Sequence, residues 1–192
     1  LGFAAASPKA KERHQHAGLR TSYWDWTYRD QDEHYRKYCG TPPVHLLFAL
    51  RKAMDMLLEE GLDNVHHRHA LLAGATHAAI NVWREGGTFD FNILDPKQRS
   101  QSVTTLRLAD GFAPEPIRAY CQNTLGVTLG LGIGDLSGKA FRVAHMGHVN
   151  APMMLGTLGA LEITLDVLGM IDGTSKGGIK AATEFLATSL KA

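Results

Sequence analysis

One arginine in the sequence has surroundings that suit a residue for binding carboxylates. Residues 138–150 predict a strand in which the apolar Phe141 and Val143 share one face. Arg142 then points away from them, and its neighbours on its own face are alanines. A guanidinium with small neighbours has room to receive a flat anion such as a carboxylate. An ordinary surface arginine on a half-exposed strand is the alternative, since most arginines are exposed.

Two hydroxyl groups near a predicted helix start could bind a phosphate. Tyr38 and Thr41 lie three residues apart and directly precede Pro42 and Pro43, which open a predicted helix. An aromatic and charged linker, residues 23–38, leads into them. Hydroxyls and backbone N–H groups at a helix N-terminus are suited to a phosphate. Simple N-capping of the helix by Thr41 is the alternative.

Two pairs of histidines could bind a metal or transfer protons. His66 and His69 lie three residues apart on a predicted helix, but no acidic or cysteine residue nearby completes a ligand set. His145 and His148 flank a glycine after the predicted strand and could bind a metal or act as acid and base. We predict no metal site at either pair and interpret His145 and His148 as packing or capping residues.

Composition restricts the class of protein. The 192 residues are 44% hydrophobic and 20% charged, with a net charge of +1, which is typical of a globular protein. A net charge this close to zero gives no indication of binding to nucleic acid or to an anionic membrane. No apolar run approaches the ~20 residues of a membrane span, and no signal peptide is recognisable. The two cysteines, Cys39 and Cys121, make no disulfide framework, so we predict a reducing, cytoplasmic location.

Hydrophobic periodicity predicts a mixture of helices and strands. Helical spacing and capping residues indicate helices over residues 8–16, 43–60, 63–85, 114–125 and 150–168, and from about 176 onwards. Alternating or β-branched residues indicate strands over residues 1–7, 89–93, 102–108 and 127–131, and around Arg142. This order predicts an α+β fold, a small, mostly antiparallel sheet with helices on one face. Because a strand is already under way at the first residue, we expect a segment of a longer protein.

The order of these motifs resembles the carboxyl-terminal half of a class V, fold type I, pyridoxal-phosphate aminotransferase. The matching stretches are a strand and Ser-Pro helix at residues 1–16, YCGTPPV at 38–44, EEGL at 59–62, RH at 68–69, DPKQR at 95–99, SVTT at 102–105 and GKAFRVAHMG at 138–147. The chain is most similar to the alanine/serine–glyoxylate aminotransferase group over nearly its whole length. The resemblance implies that residues 1–42 are the trailing edge of the α/β large domain with its linker, and residues 43–192 the small domain.

The resemblance also implies a cofactor, a reaction and a homodimer with shared active sites. Tyr38 and Thr41 would contact the pyridoxal 5'-phosphate group held by the other subunit. Arg142 would grip the substrate carboxylate. The complete enzyme would move an amino group from a small amino acid (alanine, serine or aspartate) to glyoxylate or another 2-oxo acid. We assign no catalytic residue here, because the resemblance places the Schiff-base lysine shortly before Leu1.

Two other functions are compatible with the sequence. Cysteine desulfurases and kynureninases share the class V scaffold, but a desulfurase needs a cysteine on a mobile loop. Neither Cys39, in the predicted phosphate-binding stretch, nor Cys121, in a predicted helix, suits that role. The third hypothesis is a non-catalytic α+β domain that binds a carboxylate or a partner without a cofactor.

Overall fold

A computed structural model describes residues 1–38 and 40–190 of the chain. The chain divides into two units, Leu1–Gly61 and Leu62–Ala192, and the described residues of each are treated separately. The domain boundary that we expect after residue 42 stays a prediction. Among the described residues, no helix combines the length and the apolar character that a bilayer span requires.

The regular structure of the described residues in the first unit is helical. Its helices are α1 (Pro8–His14), α2 (Trp26–Arg29), α3 (His34–Lys37) and α4 (Val44–Glu60). The Ser7 hydroxyl caps α1 by accepting from the backbone N–H of Ala10 at 3.2 Å, as the Ser-Pro sequence predicts. Gly61 ends α4 with a positive φ of 82°, which a residue without a side chain adopts easily.

Residues 1–7 form no strand, so that prediction is wrong. Leu1 is 53% exposed and Phe3 is 77% exposed. A strand needs a neighbour to satisfy its backbone N–H and C=O groups, and no strand in the described part of the chain pairs with this segment. An apolar run alone therefore does not make a strand here.

The second unit confirms the predicted α+β fold. Its elements in chain order are α5 (Leu62–Trp83), β1 (Phe89–Phe91), β2 (Val103–Leu108), α6 (Pro114–Leu125), β3 (Gly130–Leu131), β4 (Ala140–Ala144), α7 (Ala151–Val167) and α8 (Gly178–Ser189). Within the described residues, four strands form one sheet in the order β1-β2-β4-β3, and every neighbouring pair is antiparallel.

The hydrophobic core lies between the sheet and the helices of this unit. One face of the sheet supplies Leu106, Phe141 and Val143, each no more than 1% exposed. Alternate residues of the same strands point to the opposite face, where Arg107 is exposed and Arg142 is half-buried. The sheet therefore has a packed face and an open face, and the open face carries the candidate site.

A buried tryptophan joins three helices of the core. The Trp83 indole is fully buried and donates from Nε1 to the Glu162 carboxylate at 2.7 Å. The same carboxylate accepts from the backbone N–H of Ile179 at 3.1 Å, near the start of α8. The indole lies so close to Gly178 that a Cβ there would overlap Nε1 and Cε2. Tight packing at this point thus depends on a glycine.

We predict that Gly178→Ala lowers the free energy of unfolding by about 2–3 kcal/mol, because the rigid indole must shift or the helix must move away. Urea denaturation measures this. Gly156→Ala is the matched control, since a Cβ on that exposed residue of α7 meets nothing within 4 Å. The control should be neutral or slightly stabilising. Equal stability of the two variants would contradict the packing described.

Candidate functional site

Strand β4 presents Arg142 to the open face of the sheet, as the sequence predicts. Phe141 and Val143 point into the core, and Arg142 between them is half-buried on the other side. Its direct partners across the sheet are Thr105 on β2 and Gly130 on β3. Side chains directly opposite each other in antiparallel strands lie within reach. The guanidinium therefore stands among small neighbours on three strands.

The guanidinium makes one hydrogen bond and no ion pair with the described residues. Its Nε–H donates to the backbone carbonyl of Leu131 at 2.6 Å. No carboxylate oxygen of Asp or Glu in the described ranges 1–38 and 40–190 lies within 4.0 Å of a guanidinium nitrogen of Arg142. Both Nη groups thus have donors that no described residue uses, and they can bind an anion.

A cleft of about 660 Å³ lies beside Arg142. Its lining combines hydroxyl groups, apolar side chains and the glycine-bounded stretch before β3: Ser102, Val103, Gly126, Val127, Thr128, Leu129, Gly130, Arg142, Val143, Ala144, Met146 and Thr157. Arg142 is the only charged residue in this lining, among the described part of the chain. Such a cleft offers room for a small anion with one strong anchor.

Sequence reasoning identified the alanines that flank Arg142 but missed its cross-strand neighbours. Gly130 and the carbonyl of Leu131 belong to β3, which is only two residues long instead of the predicted 127–131. The register that brings them beside Arg142 is a tertiary property. The Gly130-Leu131-Gly132 pattern is the only local signal, and it points to close backbone approach without naming the partner.

Tyr38 and Thr41 are accessible, and neither hydroxyl has a hydrogen-bond partner among the described residues. Tyr38 ends α3 and is 40% exposed. Thr41 does not cap α4, because Pro43 occupies the N-cap position without a side-chain hydrogen bond. The capping alternative for Thr41 is therefore wrong. Cys39, between the two residues, lies outside the described residues.

The loop that follows β4 is held by α5. Arg68 donates from Nη1 to the carbonyls of Gly147 and Val149, both at 2.8 Å. The N–H of Gly147 donates to Nε2 of His69 at 2.9 Å, so Nδ1 carries the proton and donates to the Val65 carbonyl at 2.6 Å. His69 has a structural role with both ring nitrogens in use. This contact fixes the end of the strand that carries Arg142.

The two histidines of the second pair, His145 and His148, have different surroundings. His145 is fully buried, its Nδ1 donates to the Gln101 carbonyl at 3.0 Å, and its Nε2 accepts from the Thr104 hydroxyl at 2.9 Å. The Thr104 oxygen in turn accepts from Nε2 of His77 at 3.0 Å. His148 is exposed and takes no part in this chain of hydrogen bonds. The sequence analysis did not single out His77, which is half-buried and adds a second ring to this chain of hydrogen bonds.

Burial keeps this histidine chain neutral. Burial is the largest cause that lowers the pKa of His77 to about 4; the positive charge of Arg99 acts in the same direction, as does the repulsion that would arise if His77 and His145 were protonated together. Burial also lowers the pKa of His145. No group of three or more His, Cys, Asp or Glu side chains within the described residues is placed to hold a metal ion.

Cys121 is a core residue. It is fully buried, and its thiol lies 3.1 Å from the Thr164 hydroxyl. Burial raises the pKa of the Cys121 thiol, which disfavours the reactive thiolate. A desulfurase nucleophile on a mobile loop has the opposite properties. Cys121 therefore gives no support to the desulfurase alternative.

No family model matches the chain. Individual proteins do match it. The serine–glyoxylate aminotransferase of Methylorubrum extorquens is 32% identical over 191 residues, which are 97% of this chain and 46% of that protein. The L-aspartate–glyoxylate aminotransferase of Paracoccus denitrificans is 31% identical over 172 residues, 88% of this chain and 42% of that protein.

Solved structures of aminotransferases also match this chain. The crystal structure of pyridoxamine–pyruvate aminotransferase from Mesorhizobium loti matches 95% of this chain and 46% of its own, with a TM-score of 0.81 and 25% identity. This chain belongs to the class V aminotransferase family. It spans about half the length of the curated relatives that it matches.

The described residues include side chains that suit the phosphate of pyridoxal phosphate and a side chain that suits a substrate carboxylate. Two hydroxyls without internal partners, on Tyr38 and Thr41, suit the oxygens of a phosphate. Arg142, with both Nη groups unused, suits a carboxylate. Tyr38 and Thr41 belong to the first unit and Arg142 to the second, so the structure describes these two parts of the predicted site separately.

We predict that His77→Gln flattens the dependence of stability on pH. The pKa of His77 is 6.5 in the unfolded chain and about 4 in the folded one, so the unfolded chain binds this proton first as the pH falls. The free energy of unfolding that neutral His77 contributes is therefore fully present above pH 6.5 and is lost as the pH falls towards 4. Solvent screens the partly exposed ring and reduces the effect. Between pH 7.5 and pH 5 we therefore expect the free energy of unfolding to fall by about 1 kcal/mol less in the variant than in the wild type.

Urea unfolding at the two pH values measures the difference. Gln keeps a hydrogen-bond donor for Thr104 but does not titrate. His66→Gln, an exposed position on the same helix, is the control and should retain the wild-type dependence. If His77→Gln lost as much stability as the wild type, His77 would not be the group that resists protonation.

Proposed function

We propose that the complete protein is a pyridoxal-phosphate-dependent transaminase that moves an amino group from a small amino acid to glyoxylate. The observation that carries this proposal is the Arg142 guanidinium, which lines a cleft and makes no ion pair with the described residues. Two relatives, named for serine and for L-aspartate as donors, share glyoxylate in their names, which supports glyoxylate as the acceptor. Alanine, serine and aspartate stay candidates for the donor.

Arg142 would bind the carboxylate of each substrate in turn. A transaminase needs this, because the amino acid and the 2-oxo acid share only the carboxylate and the carbon beside it. A bidentate pair of hydrogen bonds fixes the plane of the carboxylate and so the direction of the reacting carbon. Lysine could supply the charge but not the planar fork. When bound, pyridoxal phosphate would supply the reactive aldehyde and an electron sink.

Tyr38 and Thr41 would help to hold the phosphate of that cofactor across a homodimer interface. Support comes from their exposed hydroxyls, which have no other partner among the described residues. A hydroxyl donates one hydrogen bond to a phosphate oxygen and adds no charge. We place the enzyme in the cytoplasm on the basis of its cysteine usage.

We predict that Arg142→Ala in the complete enzyme raises KM for both the amino donor and the 2-oxo acid by about 10- to 100-fold. Loss of charged hydrogen bonds worth about 1.5–3 kcal/mol is the reason. Steady-state kinetics with each substrate varied in turn measures the change. Arg107→Ala is the matched control, because that arginine is exposed on β2 and does not line the cleft. Unchanged KM values in Arg142→Ala would rule out the role given to this residue.

We predict that Tyr38→Phe combined with Thr41→Val weakens retention of pyridoxal phosphate by about tenfold or more, since two neutral hydrogen bonds of about 1 kcal/mol each are lost. Titration of the apoenzyme, followed by visible absorption, gives the dissociation constant. Tyr23→Phe, another exposed tyrosine of the aromatic segment, should leave it unchanged. A double variant with wild-type affinity would remove Tyr38 and Thr41 from the cofactor site.

A further inference from the structure

The hydrogen bond to Leu131 decides which edge of the Arg142 guanidinium remains available. A guanidinium can pair with a carboxylate through Nε and one Nη, or through both Nη groups. Because Nε–H already donates to the Leu131 carbonyl at 2.6 Å, the first edge is occupied. The edge formed by the two Nη groups makes no hydrogen bond with the described residues. A carboxylate can therefore bind in the bidentate mode only at this second edge.

Gly130 provides the space that this arrangement needs. Its position directly opposite Arg142 would place an added Cβ 3.2 Å from the Arg142 Cβ and 3.3 Å from Nε. These separations are tighter than ordinary van der Waals contact, so the arginine would have to shift by a few tenths of an ångström. Gly130 has no positive φ that would by itself require glycine. Its lack of a side chain thus matters for Arg142 rather than for the backbone.

The backbone of β3 is held firmly enough for its carbonyl to act as a fixed acceptor. Gly130 and Leu131 pair with Arg142 and Phe141 of β4. The ladder continues where the N–H of Gly132 donates to the Ala140 carbonyl at 2.9 Å. A Cβ on Gly132 would overlap the Leu136 carbonyl oxygen, so the connection between the strands is tightly packed. Movement of the Leu131 carbonyl away from Arg142 would disrupt this ladder.

We propose that Gly130 and the Leu131 carbonyl are positioning elements that aim Arg142, so that carboxylates bind end-on through its two Nη groups. This inference rests on the proposed function, which assigns the substrate carboxylate to Arg142. In this proposal Gly130 acts through Arg142 and is therefore a positioning residue. The carbonyl fixes the rotation of the guanidinium, and the glycine keeps Nε within reach of that carbonyl.

A double-mutant cycle on the complete protein tests the inference. The probe is glycolate, a carboxylate of the size of glyoxylate that has a hydroxyl in place of the reactive aldehyde. Its dissociation constant is measured by calorimetry. We expect Gly130→Ala to weaken glycolate binding by about tenfold and Arg142→Ala by about tenfold or more. Gly130→Ala should have no further effect in the Arg142→Ala background, because residues that act through each other are not additive.

Three controls keep the outcome interpretable. Gly156→Ala should bind glycolate like the wild type, and kcat at saturating substrate should fall much less than kcat/KM in Gly130→Ala. Arg142→Lys, which leaves the backbone untouched, should bind nearly as poorly as Arg142→Ala, because it cannot present two Nη donors while holding the carbonyl.

The results that overturn the inference are distinct from those that overturn the function. Normal binding by Gly130→Ala or by Arg142→Lys, with weak binding by Arg142→Ala, would remove the positioning role and leave the proposed function intact. An equal loss from Gly130→Ala in both backgrounds would do the same. Wild-type binding by Arg142→Ala would overturn both.

Discussion

The alternation of side chains along β4 is the constraint on which the candidate site depends. Two large apolar residues, Phe141 and Val143, are buried against the helices, and this burial fixes the face that the strand turns to the core. A shift of one residue in register would bury Arg142 and expose both apolar side chains. The core of the second unit therefore determines that the guanidinium stays on the open face.

Electrostatics distinguishes the two faces of the same sheet. On the packed face, the polar groups of His77, Thr104 and His145 satisfy one another and stay uncharged, because a charge there would lack solvation. On the open face, Arg142 keeps a charge without any carboxylate partner among the described residues. An unpaired cation in a half-buried setting attracts anions more strongly than one surrounded by water. The fold thus concentrates one usable charge in one cleft.

Most of the features that could be predicted depend on residues close to one another in the sequence. The face of Arg142 follows from strand alternation, and the caps at Ser7 and at Asn150, where the side chain accepts from the Met153 N–H at 3.0 Å, follow from local preferences. Helix α6 has the predicted bounds, because a proline opens it and Gly126 with a φ of 70° ends it.

The rest depended on partners that the sequence does not reveal. Ile93 was predicted to continue β1, but the strand ends at Phe91, and the Ile93 carbonyl instead accepts from Nε of Arg99 at 3.0 Å. The apolar residues 1–7 read as a strand, yet pairing decides whether a strand forms. The roles of Gly130 and His77 arise only when β3 meets β4 and α5 meets the sheet.

A crystal structure of the complete protein with bound glycolate tests the central claim most directly. The account predicts both carboxylate oxygens within hydrogen-bond distance of the two Nη atoms of Arg142, with Nε still donating to the Leu131 carbonyl. A carboxylate bound by another cation, or bound through Nε of Arg142 with the Leu131 contact broken, would contradict it.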